Sequence, residues 1–113
     1  MDFACKRIEM EELFRCSFGI TRTEHRILAL MLEQEKPCTI ARISKSVPLE
    51  RTTIQKALSG LTEKGLVKRT QHNLDKGGYV FCYETVNKKR IKSRLEKVVF
   101  DWCERLKREV DKW

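Results

Sequence analysis

Read along the chain, apolar positions recur mostly at helical spacing, with one region where they alternate at a period of two. Phe3, Met10, Leu13 and Phe14 make a partial apolar face over residues 2–16, interrupted by Arg7 and closed by Ser17-Phe18-Gly19. Thr21-Arg22-Thr23-Glu24 has the spacing of a capping box, in which a hydroxyl and a carboxylate satisfy the free amides at a helix start. The helix it opens runs to about Gln34. Ile27, Leu28, Leu30, Met31 and Leu32 make it apolar over more than half its circumference, as a central core helix requires. Lys36-Pro37 breaks the chain, and Cys38-Thr39 reads as a very short extended piece with Thr39 capping the next helix. That helix turns Ile40, Ile43 and Val47 inward and stops at Pro48.

The stretch Pro48–Arg69 organises the rest. Ile54, Ala57, Leu58 and Leu61 form a narrow apolar stripe, Gly65 ends the helix, and Leu66–Val67 opens an extended segment. The outer face carries Thr52, Lys56 and Ser59, with Thr53 and Gln55 on its flanks. Hydroxyls and cations suit phosphates, and an amide suits a base edge. Two short helices joined by a tight turn, the second with a polar outer face, form a helix-turn-helix pattern. Strands follow at Leu66–Gln71 and Tyr79–Thr85. In the second, Tyr79, Phe81 and Tyr83 alternate with Val80, Cys82 and Glu84, and the run reads as a hairpin packed on the core. Between the strands, His72–Gly78 has the Asn, Asp and Gly content of a hairpin loop. A helix-turn-helix followed directly by a hairpin is a winged helix, and its tip can carry Arg69, His72 and Lys76 to the DNA backbone or minor groove.

Asn87 caps a last helix running from Lys88 to about Asp111. Ile91, Leu95, Val98, Val99, Trp102, Leu106 and Val110 repeat along it at steps of three and four. At about 1.5 Å per residue it extends over roughly 35 Å, longer than a small domain needs for its own core. A homodimer contact shared with Phe3, Met10 and Phe14 of the N-terminal helix answers this, and folding back along its own domain is the alternative. The expected fold is therefore mainly α with a small β-hairpin (α+β). It is one winged-helix domain over residues 1–113, with an N-terminal helix in 1–18, the core in 21–86 and a dimerisation helix in 87–113.

Composition narrows the function. The net charge is +8, and residues 88–113 alone carry ten basic and five acidic side chains. Such a balance fits a polyanion partner, through phosphate neutralisation and counterion release. The ten basic residues are read as solvated flanks, with Lys88, Lys89 and Arg90 able to extend the phosphate-contacting surface. Five cysteines (Cys5, Cys16, Cys38, Cys82, Cys103) form no C-x-x-C pair and lie near no histidine at ligand spacing, so no metal or other cofactor is expected. Buried free thiols are the default reading. His25 and His72 fall in different elements, and there is no glycine-rich phosphate loop, nucleophile motif or carboxylate cluster, which argues against an enzyme. No run is long enough to cross a bilayer and the N-terminus lacks a secretory pattern, so a cytoplasmic protein is expected.

The residues Thr21–Leu32 (TRTEHRILALML), Thr39–Ser44 (TIARIS) and Arg51–Arg69 (RTTIQKALSGLTEKGLVKR) resemble the small archaeal winged-helix regulators of the TrmB and MarR-like groups. The resemblance implies a dimeric, sequence-specific transcriptional regulator of double-stranded DNA. It places Arg51, Thr52, Thr53, Gln55 and Lys56 at the major groove and the wing residues at the backbone. Two departures stand out. Glu50 occupies a position where such proteins often have a small polar cap, and its charge opposes phosphates unless it pairs with Arg51 or accepts from a cytosine amino group. The sugar-binding C-terminal domain of longer TrmB-like proteins is not expected here, so the resemblance gives no ground for assigning a small-molecule effector, which stays unknown. The rival reading is a winged helix used as a protein–protein adaptor in a transcription-related or other assembly.

Overall fold

A computed structural model describes all 113 residues. The elements in order are β1 (Asp2–Phe3), β2 (Lys6–Arg7), α1 (Met10–Phe18), α2 (Arg22–Gln34), α3 (Ile40–Ser46), α4 (Arg51–Glu63), β3 (Val67–Asn73), β4 (Tyr79–Thr85) and α5 (Lys88–Asp111). They divide into two compact units, Ile20–Val86 and Met1–Gly19 with Asn87–Trp113.

The unit Ile20–Val86 is a winged helix-turn-helix. Its α2 begins with the capping box: the Thr21 amide donates to Glu24 Oε1 at 2.8 Å and the Glu24 amide to Thr21 Oγ1 at 3.1 Å. Ile27, Leu28 and Met31 of α2, Ile43 of α3 and Ile54, Leu58 and Leu61 of α4 are almost completely buried. These side chains recur at helical spacing on three helices, so each helix contributes one stripe to a common core. Thr39 caps α3 by accepting from the Arg42 amide at 3.2 Å. Cys38 pairs in antiparallel bridging fashion with Tyr83, the two residues exchanging both backbone hydrogen bonds at 2.8 Å. That bridge ties the start of the helix-turn-helix to the wing. Gly65, with φ 71°, takes the left-handed conformation that turns α4 into β3.

The wing differs from expectation in its details. Its β3 spans Val67–Asn73 rather than Leu66–Gln71, and the loop shortens to Leu74–Gly78. Gly77 and Gly78 both have positive φ, and the Leu74 amide donates to the Gly78 carbonyl at 3.0 Å. The pair of glycines allows a tighter loop, which lets two more residues join the ladder.

In the other unit the expected helix over residues 2–16 is corrected. Residues 2–7 form a small antiparallel hairpin, with Asp2 opposite Arg7 and Phe3 opposite Lys6, and α1 starts only at Met10. Met1, Ala4, Cys5 and Ile8 also recur at helical spacing, but Arg7 interrupts the Phe3–Met10 face, and the segment satisfies its backbone in the ladder and the Met1–Ile8 bond instead of in a helical turn. Glu9 sits extended at the cap, and the Ile8 amide donates to the Met1 carbonyl, closing the hairpin. Within this unit Phe14 and Phe18 pack with ring centroids 4.7 Å apart, and the Arg94 guanidinium of α5 lies 5.3 Å from the Phe18 ring. The bounds of α5 match the sequence reading, with Asn87 Oδ1 accepting from the Lys89 amide at 2.8 Å.

Candidate nucleic-acid interface

In α4 the burial pattern separates a buried stripe from an exposed polar one. Ile54, Ala57, Leu58 and Leu61 face the core, whereas Arg51, Thr52, Gln55, Lys56 and Ser59 are exposed and Thr53 is half-buried. One 13-residue helix therefore holds itself in place with one stripe and presents hydroxyls, an amide and two cations with the other. Gly60 sits where α4 passes α2, and a Cβ built there would collide with Glu24 Oε2. The absent side chain leaves room for the capping-box carboxylate of α2 against α4. Glu50 is the N-cap residue of α4 but makes no side-chain hydrogen bond to the helix start, so it leaves that helix end available to other acceptors.

The wing arranges its residues by strand parity. Cross-strand pairs are Arg69 with Tyr83, Gln71 with Phe81 and Asn73 with Tyr79, so these six side chains share one face. His72 lies on the opposite face, within 3.1 Å of Thr70 Oγ1. Arg69 and His72, grouped together by sequence, thus point to opposite sides of the hairpin. Lys76 is exposed in the tip loop. Tyr83 is buried and Phe81 half-buried, while Tyr79 remains 58% exposed, so the aromatic run packs on the core only at its inner end. The Arg69 guanidinium lies 4.3 Å from the centroid of the Phe81 ring, which meets Tyr79 edge-on at 5.3 Å. Arg51, Gln55, Arg69, Tyr79 and Phe81 line a groove of about 290 Å³ between α4 and the wing. Alternation in the sequence marked these aromatics but not the register. The register depended on the glycine pair that sets the loop.

Of the residues expected at a dimer contact, Phe3, Met10, Val98, Trp102, Leu106 and Val110 are exposed. Phe14, Leu95 and Val99 are half-buried, and Ile91 is buried within the single chain. Phe100 is 63% exposed but stands off this stripe, a position the periodicity did not single out. Phe3, Ile8, Leu13, Val98, Val99 and Trp102 line an apolar groove of about 440 Å³. Cys5, Cys16 and Cys103 are exposed free thiols, Cys82 is half-buried and Cys38 is buried. Burial raises the Cys38 thiol above its ordinary range, and it donates to Gln34 Oε1 and the Lys36 carbonyl, both at 3.2 Å. A protonated thiol held this way is structural.

The sequence profile of the family described as "Sugar-specific transcriptional regulator TrmB" matches residues 14–89, more than half of the chain. The chain belongs to the TrmB family. An uncharacterised protein of Methanocaldococcus jannaschii is 31% identical over 107 residues, spanning 95% of this chain and 80% of that protein. Among solved structures, a possible transcriptional regulator from Methanosarcina mazei is similar with a TM-score of 0.90 and 32% identity, covering 100% of this chain and 95% of that one. A protein from Sulfolobus tokodaii is similar with a TM-score of 0.67 and 28% identity, covering 81% and 89%. Family and fold are those of a DNA-binding transcriptional regulator and not of an enzyme. No helix is long and apolar enough to cross a membrane.

Proposed function

We propose that this TrmB-family protein works as a homodimer on specific duplex DNA sites. In this reading α4 enters the major groove, with Gln55 and Arg51 contacting base edges and Thr52, Thr53, Lys56 and Ser59 dividing base and phosphate contacts. From the wing, Arg69 and Lys76 meet the backbone or minor groove, and His72 meets the backbone from the opposite face. The observation that carries the reading is the split of α4 into a buried apolar stripe and an exposed face of Arg51, Thr52, Gln55, Lys56 and Ser59. Glu63 shares this face at the far end of the helix, while the part from Arg51 to Ser59 presents cations, hydroxyls and an amide with no carboxylate among them.

The unit Met1–Gly19 with Asn87–Trp113 supplies the pairing surface. Phe3, Met10, Val98, Trp102, Leu106 and Val110 are apolar and exposed, and a row of this kind on a soluble chain calls for a covering partner. A second copy covers it by two-fold symmetry, which sets two recognition helices about 34 Å apart on a pseudo-palindromic site. Ile91, buried already, supports α5 within its own chain. The protein then acts in the cytoplasm beside its DNA.

Selection of bound genomic fragments followed by sequencing, with gel shifts at two salt concentrations, tests this. The expected result is a two-half-site motif bound with an affinity that falls steeply with salt. Failure to enrich any sequence, with no shift at low salt, would assign the α4 face to protein contacts instead.

A further inference from the structure

The groove between α4 and the wing has a chemistry that a base-paired duplex does not use. A duplex offers phosphates and base edges, while the ring faces of its bases stay stacked inside. The wing nevertheless presents an exposed ring: Tyr79 is 58% exposed, and it is propped edge-on, 5.3 Å between centroids, by half-buried Phe81, over which the Arg69 guanidinium lies 4.3 Å from the centroid. Beside these rings, on the same face by strand register, lie the exposed amide side chains of Gln71 and Asn73. Arg51 and Gln55 close the groove from the helix side, and its volume of about 290 Å³ has room for a nucleobase.

Two rings two residues apart on one strand stabilise a hairpin by packing on one another, but that role needs neither guanidinium groups nor amides around them. A β-surface that combines exposed rings, amides and cations is matched to an unpaired nucleotide. Rings stack on the base, amides read its edge, and guanidinium groups hold the flanking phosphates. We infer that the wing face of Tyr79 and Phe81 is a stacking site for an unpaired base, giving the protein a second mode of binding to single-stranded nucleic acid. Both aromatic residues lie outside the set proposed to contact duplex, so the two modes separate by mutation.

The test is fluorescence anisotropy with the full-length protein and three labelled probes: a short oligothymidylate, an abasic strand of the same length, and a duplex selected from genomic fragments. The oligothymidylate binds at least about 5-fold more tightly than the abasic strand, since stacking contributes at least ~1 kcal/mol per base, which is about 5-fold in affinity. Tyr79→Ala removes that difference while duplex affinity stays within about two-fold, and Tyr79→Phe, which keeps the ring, retains it. Equal binding of the thymidylate and abasic strands overturns the inference whatever the variants do. An equal loss on duplex and single strand also overturns it, by assigning the rings to the sugars of a duplex. Because duplex binding by wild type is read in the same experiment, failure of the duplex reading shows separately.

Discussion

The two units of this chain treat their apolar residues in opposite ways. In Ile20–Val86 the stripes of α2, α3 and α4 converge, and Ile27, Leu28, Ile43, Ile54, Leu58 and Leu61 are sealed from water. In Met1–Gly19 with Asn87–Trp113 the same helical spacing leaves Trp102 at 57%, Leu106 at 47% and Val110 at 48% exposure. Periodicity is equally regular in both. What differs is the number of elements available to cover the stripe: three helices and a hairpin in one unit, one long helix with a short helix and a two-residue-stranded hairpin in the other. An amphipathic pattern thus specifies that a face will be covered, while the length and company of the helix decide whether its own chain covers it.

The largest expected effect tests the self-sufficient side. Leu58→Ala removes a fully buried side chain from the three-helix core and should cost about 2–5 kcal/mol in chemical denaturation, independent of protein concentration. A loss below ~1 kcal/mol would mean that this core is not the cooperative unit. Trp102→Glu is the matching change on the other side. It should leave the helical signal at high concentration nearly intact yet weaken self-association by about 2–4 kcal/mol, as loss of an interface anchor does. Sedimentation equilibrium reads this, and an unchanged mass distribution would break the contrast between the units.

Much of this was legible in the sequence. The capping box at Thr21, the Thr39 cap, the turn at Gly65 and the bounds of α5 all rest on local chemistry, because caps and turns satisfy backbone groups within a few residues. The first helix was misread since Phe3 and Met10 share a helical face only if the residues between them are helical. The pairing of Asp2 with Arg7 is a choice that their types do not dictate. The wing was placed correctly, and the alternation of Tyr79, Phe81 and Tyr83 with Val80, Cys82 and Glu84 holds, but the pairing across the strands was not legible. Arg69 and His72 point to opposite sides because they stand three residues apart on one strand, whereas the sequence pattern ends that strand at Gln71 and leaves His72 in the loop. For the candidate interface, residue types and helical phase located the α4 face, whereas the groove lined by Tyr79 and Phe81 depended on three-dimensional register.

Smaller effects refine the account of the core unit. Thr21→Ala removes one half of the capping box and should lower stability by about 1 kcal/mol, seen as a shifted denaturation midpoint with unchanged slope. Thr21→Ser should restore it. The smallest effect concerns pH. Burial holds the Cys38 proton more tightly in the folded chain than in the unfolded one. Stability is therefore flat below the ordinary thiol value of about 8.5, then declines as pH rises from there through the higher folded value. Cys38→Ala should remove that decline at some cost in packing, and a decline of equal slope in the variant would assign it to other groups.

The central claim is that the exposed face of α4 reads duplex DNA. The most direct measurement compares wild type with the triple variant Arg51→Ala, Gln55→Ala, Lys56→Ala on a fragment selected from genomic DNA, by gel shift across a salt series. All three side chains are exposed, so the variant should fold with a wild-type midpoint. Loss of specific binding is expected from removing the base-edge contacts of Arg51 and Gln55, with a salt slope flatter by roughly one phosphate contact, that of Lys56. Wild-type affinity and an unchanged slope in a folded variant would contradict it, and would place the DNA-reading surface elsewhere on the chain.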